Sequence, residues 1–164
     1  MHKTHLALPL PYAPFDHLRQ NLEQALQIPL KTRGEAHVTI ITPIEFKAIQ
    51  THITMQELVA IVQKTEPQRL PLQLLCIGEG TIFQQEQILS TYFAVTEPAA
   101  LIRMRVAIRQ HYLNKGGDKN CFDPEHYYPH VTLGFTERDL HLADGVVKDR
   151  SAYLCALQSL AKPR

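Results

Sequence analysis

The sequence predicts an α+β domain. Runs with helical periodicity alternate with β-branched runs, no Gly/Ser-rich or highly charged stretch divides them, and two distant runs carry one tetrapeptide pattern, His37-Val38-Thr39-Ile40 and His130-Val131-Thr132-Leu133. With 164 residues, at roughly 100–200 residues per domain, residues 1–164 are expected to form a single domain.

The elements follow in order. Leu6-Ala7-Leu8 reads as a short strand closed by Pro9 and Pro11. A helix follows, with Pro14 in its first turn and Phe15, Leu18, Leu22, Ala25 and Leu26 on one face, stopped by Pro29. Glu35 to Ile41 is a strand closed by Pro43. A second helix starts at Thr54, where Glu57 three residues on completes a capping box, and Met55, Leu58, Val59 and Val62 form its stripe. Leu70 to Ile77 reads as a strand entered through Pro71 and punctuated by Gly78 and Gly80. Thr81 to Phe83 and Ile88 to Val95 form a hairpin. A third helix begins at Pro98, presents Leu101, Met104, Ile108 and Tyr112, and ends at Gly116-Gly117. A long loop leads to the strand His130–Phe135. Beyond it, Thr136 to Ala143 suggests a short helix and Asp149 to Leu160 a helical rather than extended segment.

Composition narrows the function classes. Lys plus Arg number 17 and Asp plus Glu 16, a net charge of +1. That excludes a coat for long duplex nucleic acid, which needs many phosphate contacts. Three cysteines with no Cys-x-x-Cys spacing argue against a disulfide framework and a cysteine zinc site. No apolar run approaches 18 residues, and Leu6 to Leu10 is too short and too soon broken by prolines for a signal peptide, so a cytoplasmic protein without membrane attachment is expected.

The repeated tetrapeptide carries the chemistry. Alternate side chains of a strand share a face, so His37 and Thr39 point one way, as do His130 and Thr132, with the apolar residues opposite. If the two strands lie close in one sheet, two imidazoles and two hydroxyls converge on one groove, with Gly134 leaving space beyond Thr132. Such a set suits phosphodiester chemistry. A neutral imidazole takes a proton from water, an imidazolium gives one to the leaving oxygen, and hydroxyls hold the phosphate oxygens. The pattern His-x-Thr alone is weak: 9 His and 12 Thr give about 0.7 chance occurrences, yet it occurs at His2, His37, His52 and His130. Context separates them. His2 lies at the terminus, and Thr54 after His52 caps a helix, leaving His37 and His130 inside β-patterned runs.

These paired motifs, one in each half of the chain, resemble the two-histidine (2H) phosphoesterase superfamily, which includes 2′–5′ RNA ligase-like proteins and cyclic nucleotide phosphodiesterases. The opening strand and helix, Leu6 to Gln27, and the context Tyr128-Pro129-His130-Val131-Thr132-Leu133 extend the likeness. The resemblance implies a pseudo-symmetric, two-lobed fold of mainly antiparallel sheets, with a central cleft and outer helices. It implies His37 and His130 as the acid–base pair and Thr39 and Thr132 as phosphate binders. The activity implied is hydrolysis of a cyclic phosphodiester, above all an RNA or nucleoside 2′,3′-cyclic phosphate, with no metal and no cofactor. The partner is then a nucleotide or an RNA 3′-end bearing a cyclic phosphate, and the protein a monomer. The alternatives are 2′–5′ ligation, which the same acid–base pair serves in reverse, and a non-catalytic binder of RNA ends. A histidine-dependent metalloprotein has less support, because no familiar ligand spacing is present and Pro129 breaks any helix that would align His126 with His130. The clean final strand of many family members is not evident.

Three supporting assignments are open on residue chemistry. Tyr128 shares a face with His130 and either stacks a base or covers apolar surface. Glu35 either orients His37 or is an exposed strand-end carboxylate. Arg105 and Arg109, one helical turn apart, read better as a solvated helix face than as an RNA contact.

Overall fold

The computed structural model describes residues 4–65 and 72–161, so the expected strand start at Leu70 and Pro71, and the His2 motif, lie outside the described residues. Internal contacts divide the chain into two units. One holds Met1–Leu8, Thr39–Leu72 and Pro98–Tyr127; the other holds Pro9–Val38, Gln73–Glu97 and Tyr128–Arg164. The elements are mixed α and antiparallel β, as expected. A two-stranded sheet pairs β1 (Leu6–Leu10) with β2 (Ala36–Ile41), and both strands pass from one unit into the other.

The first unit is helical: α2 (Pro43–Ile49), α3 (Met55–Lys64) and α4 (Ala99–Asn114). The expected stripe of α4, Leu101, Met104, Ile108 and Tyr112, is buried. Helix α2 went unread because Pro43 looks like a strand terminator. It is instead the first helical residue after Thr42, whose hydroxyl accepts from the Glu45 N–H while the Glu45 carboxylate accepts from the Thr42 N–H. This is the same signature as Thr54 and Glu57 at α3, which forms as expected.

Arg105 corrects the reading of a solvated helix face. Its side chain is fully buried, and an arginine there is tolerated only with its donors satisfied. It donates to the Ile40, Asp123 and Pro124 carbonyls and to the Glu45 carboxylate at 2.6 Å, and stacks over Phe122 and Tyr127. Arg109, one turn on, donates to the Phe122 and Lys119 carbonyls. Both arginines therefore organise the loop after α4.

The second unit is a four-stranded antiparallel sheet in the order β5-β4-β3-β6, comprising β3 (Leu74–Gln84), β4 (Gln87–Thr96), β5 (His130–Phe135) and β6 (Tyr153–Cys155). Helix α1 (Tyr12–Leu26) packs on β5 and on α5 (Leu157–Ala161). Gly78 and Gly80 do not interrupt β3. A Cβ on Gly78 would lie 2.4 Å from the Phe93 ring, and one on Gly80 would lie 2.2 Å from the Val146 side chain. These glycines admit neighbouring side chains within one continuous strand. The C-terminal expectation is also corrected. Only Leu142–Asp144 and Arg150–Ala152 form 3₁₀ turns before β6, and that three-residue strand is too short to show a period.

The cap assignment has a measurable consequence. Thr54→Ala should lower stability by about 0.5–2 kcal/mol in urea unfolding, whereas His52→Ala, for all its match to the tetrapeptide pattern, should leave any phosphoesterase activity intact.

Candidate functional site

Strands β2 and β5 do not share a sheet, which corrects the expected route to convergence. The connection is made just before β2. Lys31 and Phe135 exchange both backbone hydrogen bonds, at 2.8 and 3.0 Å, in an isolated antiparallel bridge. From that clamp the chain runs from residue 31 to 37 as β5 runs back from 135 to 130, so His37 advances toward the His130 end of β5. Where the backbones separate, a small cavity opens between Arg33, Glu35 and His37 on one side and Thr132 on the other. The expectation that Gly134 leaves space beyond Thr132 is corrected, because that space is filled by the chain itself. A Cβ there would meet Leu30 Cβ at 2.9 Å and the Lys31 carbonyl at 3.0 Å. Its bare backbone is what allows the clamp.

The aim of the β5 side chains is set locally. Thr132 pairs with Phe93 and Gly134 with Tyr92, so Leu133 is an extra residue that bulges the strand beside the cavity. His130 Nδ1 lies 2.8 Å from the Tyr128 carbonyl. A carbonyl only accepts, so Nδ1 carries the proton and the lone pair of the neutral ring is on Nε2. Although part of the residue reaches solvent, the ring stands edge-on to Phe93, with centroids 5.8 Å apart. Desolvation of the ring, then the charge of Lys148, pushes its pKa down to about 3, against the opposing pull of the Tyr128 carbonyl and Asp139.

Beneath this strand lies a buried ion pair that the sequence did not reveal. Asp139 Oδ1 accepts from Lys148 Nζ and from Thr91 Oγ1, each at 2.7 Å, and both members of the pair are almost wholly buried. Burial works against the Asp139 carboxylate, but Lys148 outweighs it and holds the group below its ordinary range. Oδ2 faces the other way and accepts at longer range from Arg33, at 3.3 Å, and from Thr132 Oγ1, at 3.4 Å.

Of the residues singled out in the sequence, the cavity brings His37 and Thr132 together, with His130 two residues from Thr132 on β5. Thr39 is half-buried on β2 and belongs to the first unit, where its carbonyl accepts from the Tyr127 hydroxyl at 2.7 Å. Tyr128 contributes its carbonyl to His130. Glu35 is exposed and also stands 3.4 Å from His37 Nδ1, which unites the two readings weighed for it. Arg33, Asp139 and Lys148 were missed because ion pairs between distant residues leave no spacing pattern. The one local sign was Thr32-Arg33-Gly34, a turn with φ +71° at Gly34 immediately before a motif strand.

A family model described as "Swiss Army Knife, 2H phosphoesterase domain" matches residues 4–141, and the chain belongs to the 2H phosphoesterase family. Comparison with curated proteins and with solved structures gave no match. Among the described residues, no helix is long and apolar enough to cross a membrane.

The burial of His130 has a testable sign. Its ordinary pKa is 6.5 and its folded value about 3, so the unfolded chain binds the extra proton first. Stability is therefore fully present above about pH 6.5 and is lost as the pH falls toward 3. Urea unfolding across that range should show the slope, His130→Gln should reduce it, and the NMR titration of His130 should show a neutral ring at pH 5.

Proposed function

We propose that this protein hydrolyses cyclic phosphodiesters, most readily an RNA or nucleoside 2′,3′-cyclic phosphate, by acid–base catalysis between His130 and His37 without a metal ion. The observation that carries the reading is the fixed tautomer of His130, with Nδ1–H on the Tyr128 carbonyl and a lone pair on Nε2. It fits a general base. Nε2 takes a proton from water as the water oxygen bonds to phosphorus. The P–O bond to one ribose oxygen breaks, and His37 gives that oxygen a proton. Glu35 stands 3.4 Å from His37 Nδ1, on the side of the ring away from the proton it delivers through Nε2.

A pKa near 3 makes a weak base, but substrate changes that value. A bound phosphodiester adds a negative charge beside the ring and raises the value toward the working pH, where proton transfer is efficient. Thr132 turns its hydroxyl to a non-bridging oxygen. Thr39, two residues past His37 on β2, has the same role in this reading. Tyr128 serves through its backbone, so base stacking is not needed to explain its place.

His37→Ala and His130→Ala should each cut turnover of adenosine 2′,3′-cyclic monophosphate by about 10²–10⁴-fold, and turnover by the unaltered protein should survive EDTA. Near-normal kcat in either variant, or loss of activity to chelator with recovery on adding a divalent ion, would sink the mechanism.

A further inference from the structure

We propose that Arg33 is a substrate-binding residue that grips the two non-bridging oxygens of the phosphodiester from the cavity wall opposite Thr132. The inference rests on the hydrolase reading for its substrate, and it adds a residue outside both tetrapeptide motifs.

Three observations support it. Arg33 lines the cavity that holds His37 and Thr132, and it is the one lysine or arginine among the residues lining it. A phosphodiester brings a full negative charge into that space, and burying it without a facing cation is costly. The His37 imidazolium is engaged at the leaving oxygen, and the nearby lysines are committed. Lys148 is 3% exposed and bonded to Asp139 at 2.7 Å, and Lys31 is paired with Glu137.

The second observation is how loosely Arg33 is held. Its hydrogen-bond partner is Asp139 Oδ2, at 3.3 Å, longer than the roughly 2.7–2.9 Å of a strong charge-assisted bond. The side chain is 48% exposed. One of its five N–H donors is engaged there, leaving a planar fork of the geometry that suits two phosphate oxygens.

The third is the division of labour at Asp139. Oδ1 is locked by Thr91 and Lys148 at 2.7 Å, whereas Oδ2 meets Arg33 and Thr132 at 3.3 and 3.4 Å. One carboxylate oxygen fixes the group in the core, and the other draws two donors toward the same cavity. An arriving phosphate competes with a single weakly bonded oxygen for both. The Thr32-Arg33-Gly34 turn, closed by the Gly34 N–H on Thr32 Oγ1 at 3.2 Å, sets Arg33 at this point just before β2.

The test is calorimetric binding of adenosine 2′- and 3′-monophosphate, which need no turnover, to the unaltered protein and to Arg33→Met and Arg33→Lys, with thermal melts to establish folding. Arg33→Met should weaken binding by about 10–100-fold. Arg33→Lys should recover only part of it, because an ammonium keeps the charge and loses the fork. Steady-state kinetics on adenosine 2′,3′-cyclic monophosphate should show the loss mainly in KM. Unchanged affinity in folded Arg33→Met, full recovery by Arg33→Lys, or no binding of either nucleotide to the unaltered protein would overturn the proposal. Binding that depends on Arg33 in a protein that opens no cyclic phosphodiester would keep the clamp and remove the hydrolase reading. Hydrolysis with KM unaffected by Arg33→Met would do the reverse.

Discussion

The polar side of the second unit depends on one buried carboxylate. Asp139 lies just past β5, with only 4% of its side chain exposed, and an ionised group there needs a cation and several donors to persist. Lys148 supplies the cation from the chain leading toward β6, and Thr91 supplies a hydroxyl from β4. The pair thus ties three separated stretches of chain together under the strand that carries His130 and Thr132. Buried ion pairs are poor sources of net stability, and removing one partner is far more damaging than never having had either. Here the pair's consequence is positional and electrostatic. Asp139 holds Thr132 and Arg33 on one oxygen, and Lys148 adds a positive field to the desolvation that pushes the His130 pKa down.

A second constraint acts on the backbone. The Lys31–Phe135 bridge brings the chain before β2 against the end of β5, and it exists because Gly134 has no side chain. The bulge at Leu133 then re-aims β5 past that contact. Together they place His37 and Thr132 on one cavity although their strands belong to different sheets. Much of the geometry of the candidate site is therefore fixed by the fold, and a preformed site spends little binding energy on rearrangement.

What was legible in the sequence follows from the range of each signal. The period-2 runs of β2 and β5, the capping box at Thr54 and the apolar stripe of α4 are local, and they formed as read. The histidine motifs were legible because strand alternation converts spacing into a shared face. Helix α2 was equally local, but Pro43 was taken as a stop when it is a first-turn residue. Three failures have tertiary causes. Gly78, Gly80 and Gly134 are small because Phe93, Val146 and Leu30 approach them from afar in sequence. Arg105 is buried because six acceptor and ring partners on other segments meet it. Asp139 and Lys148 drew no notice in the sequence, because nothing in their neighbours' identities distinguishes a buried pair from a solvated one.

A crystal structure with adenosine 3′-monophosphate bound would show directly whether His37, His130, Thr132 and Arg33 meet on one phosphate. The phosphate should lie in the cavity beside Thr132 and Arg33, with His37 and His130 Nε2 both within hydrogen-bond reach, about 3 Å, of phosphate or ribose oxygens. His130 Nδ1 should remain on the Tyr128 carbonyl, and the Arg33 fork should have turned from Asp139 to the phosphate. A nucleotide seated elsewhere, or a phosphate that leaves either imidazole out of contact, would contradict that arrangement.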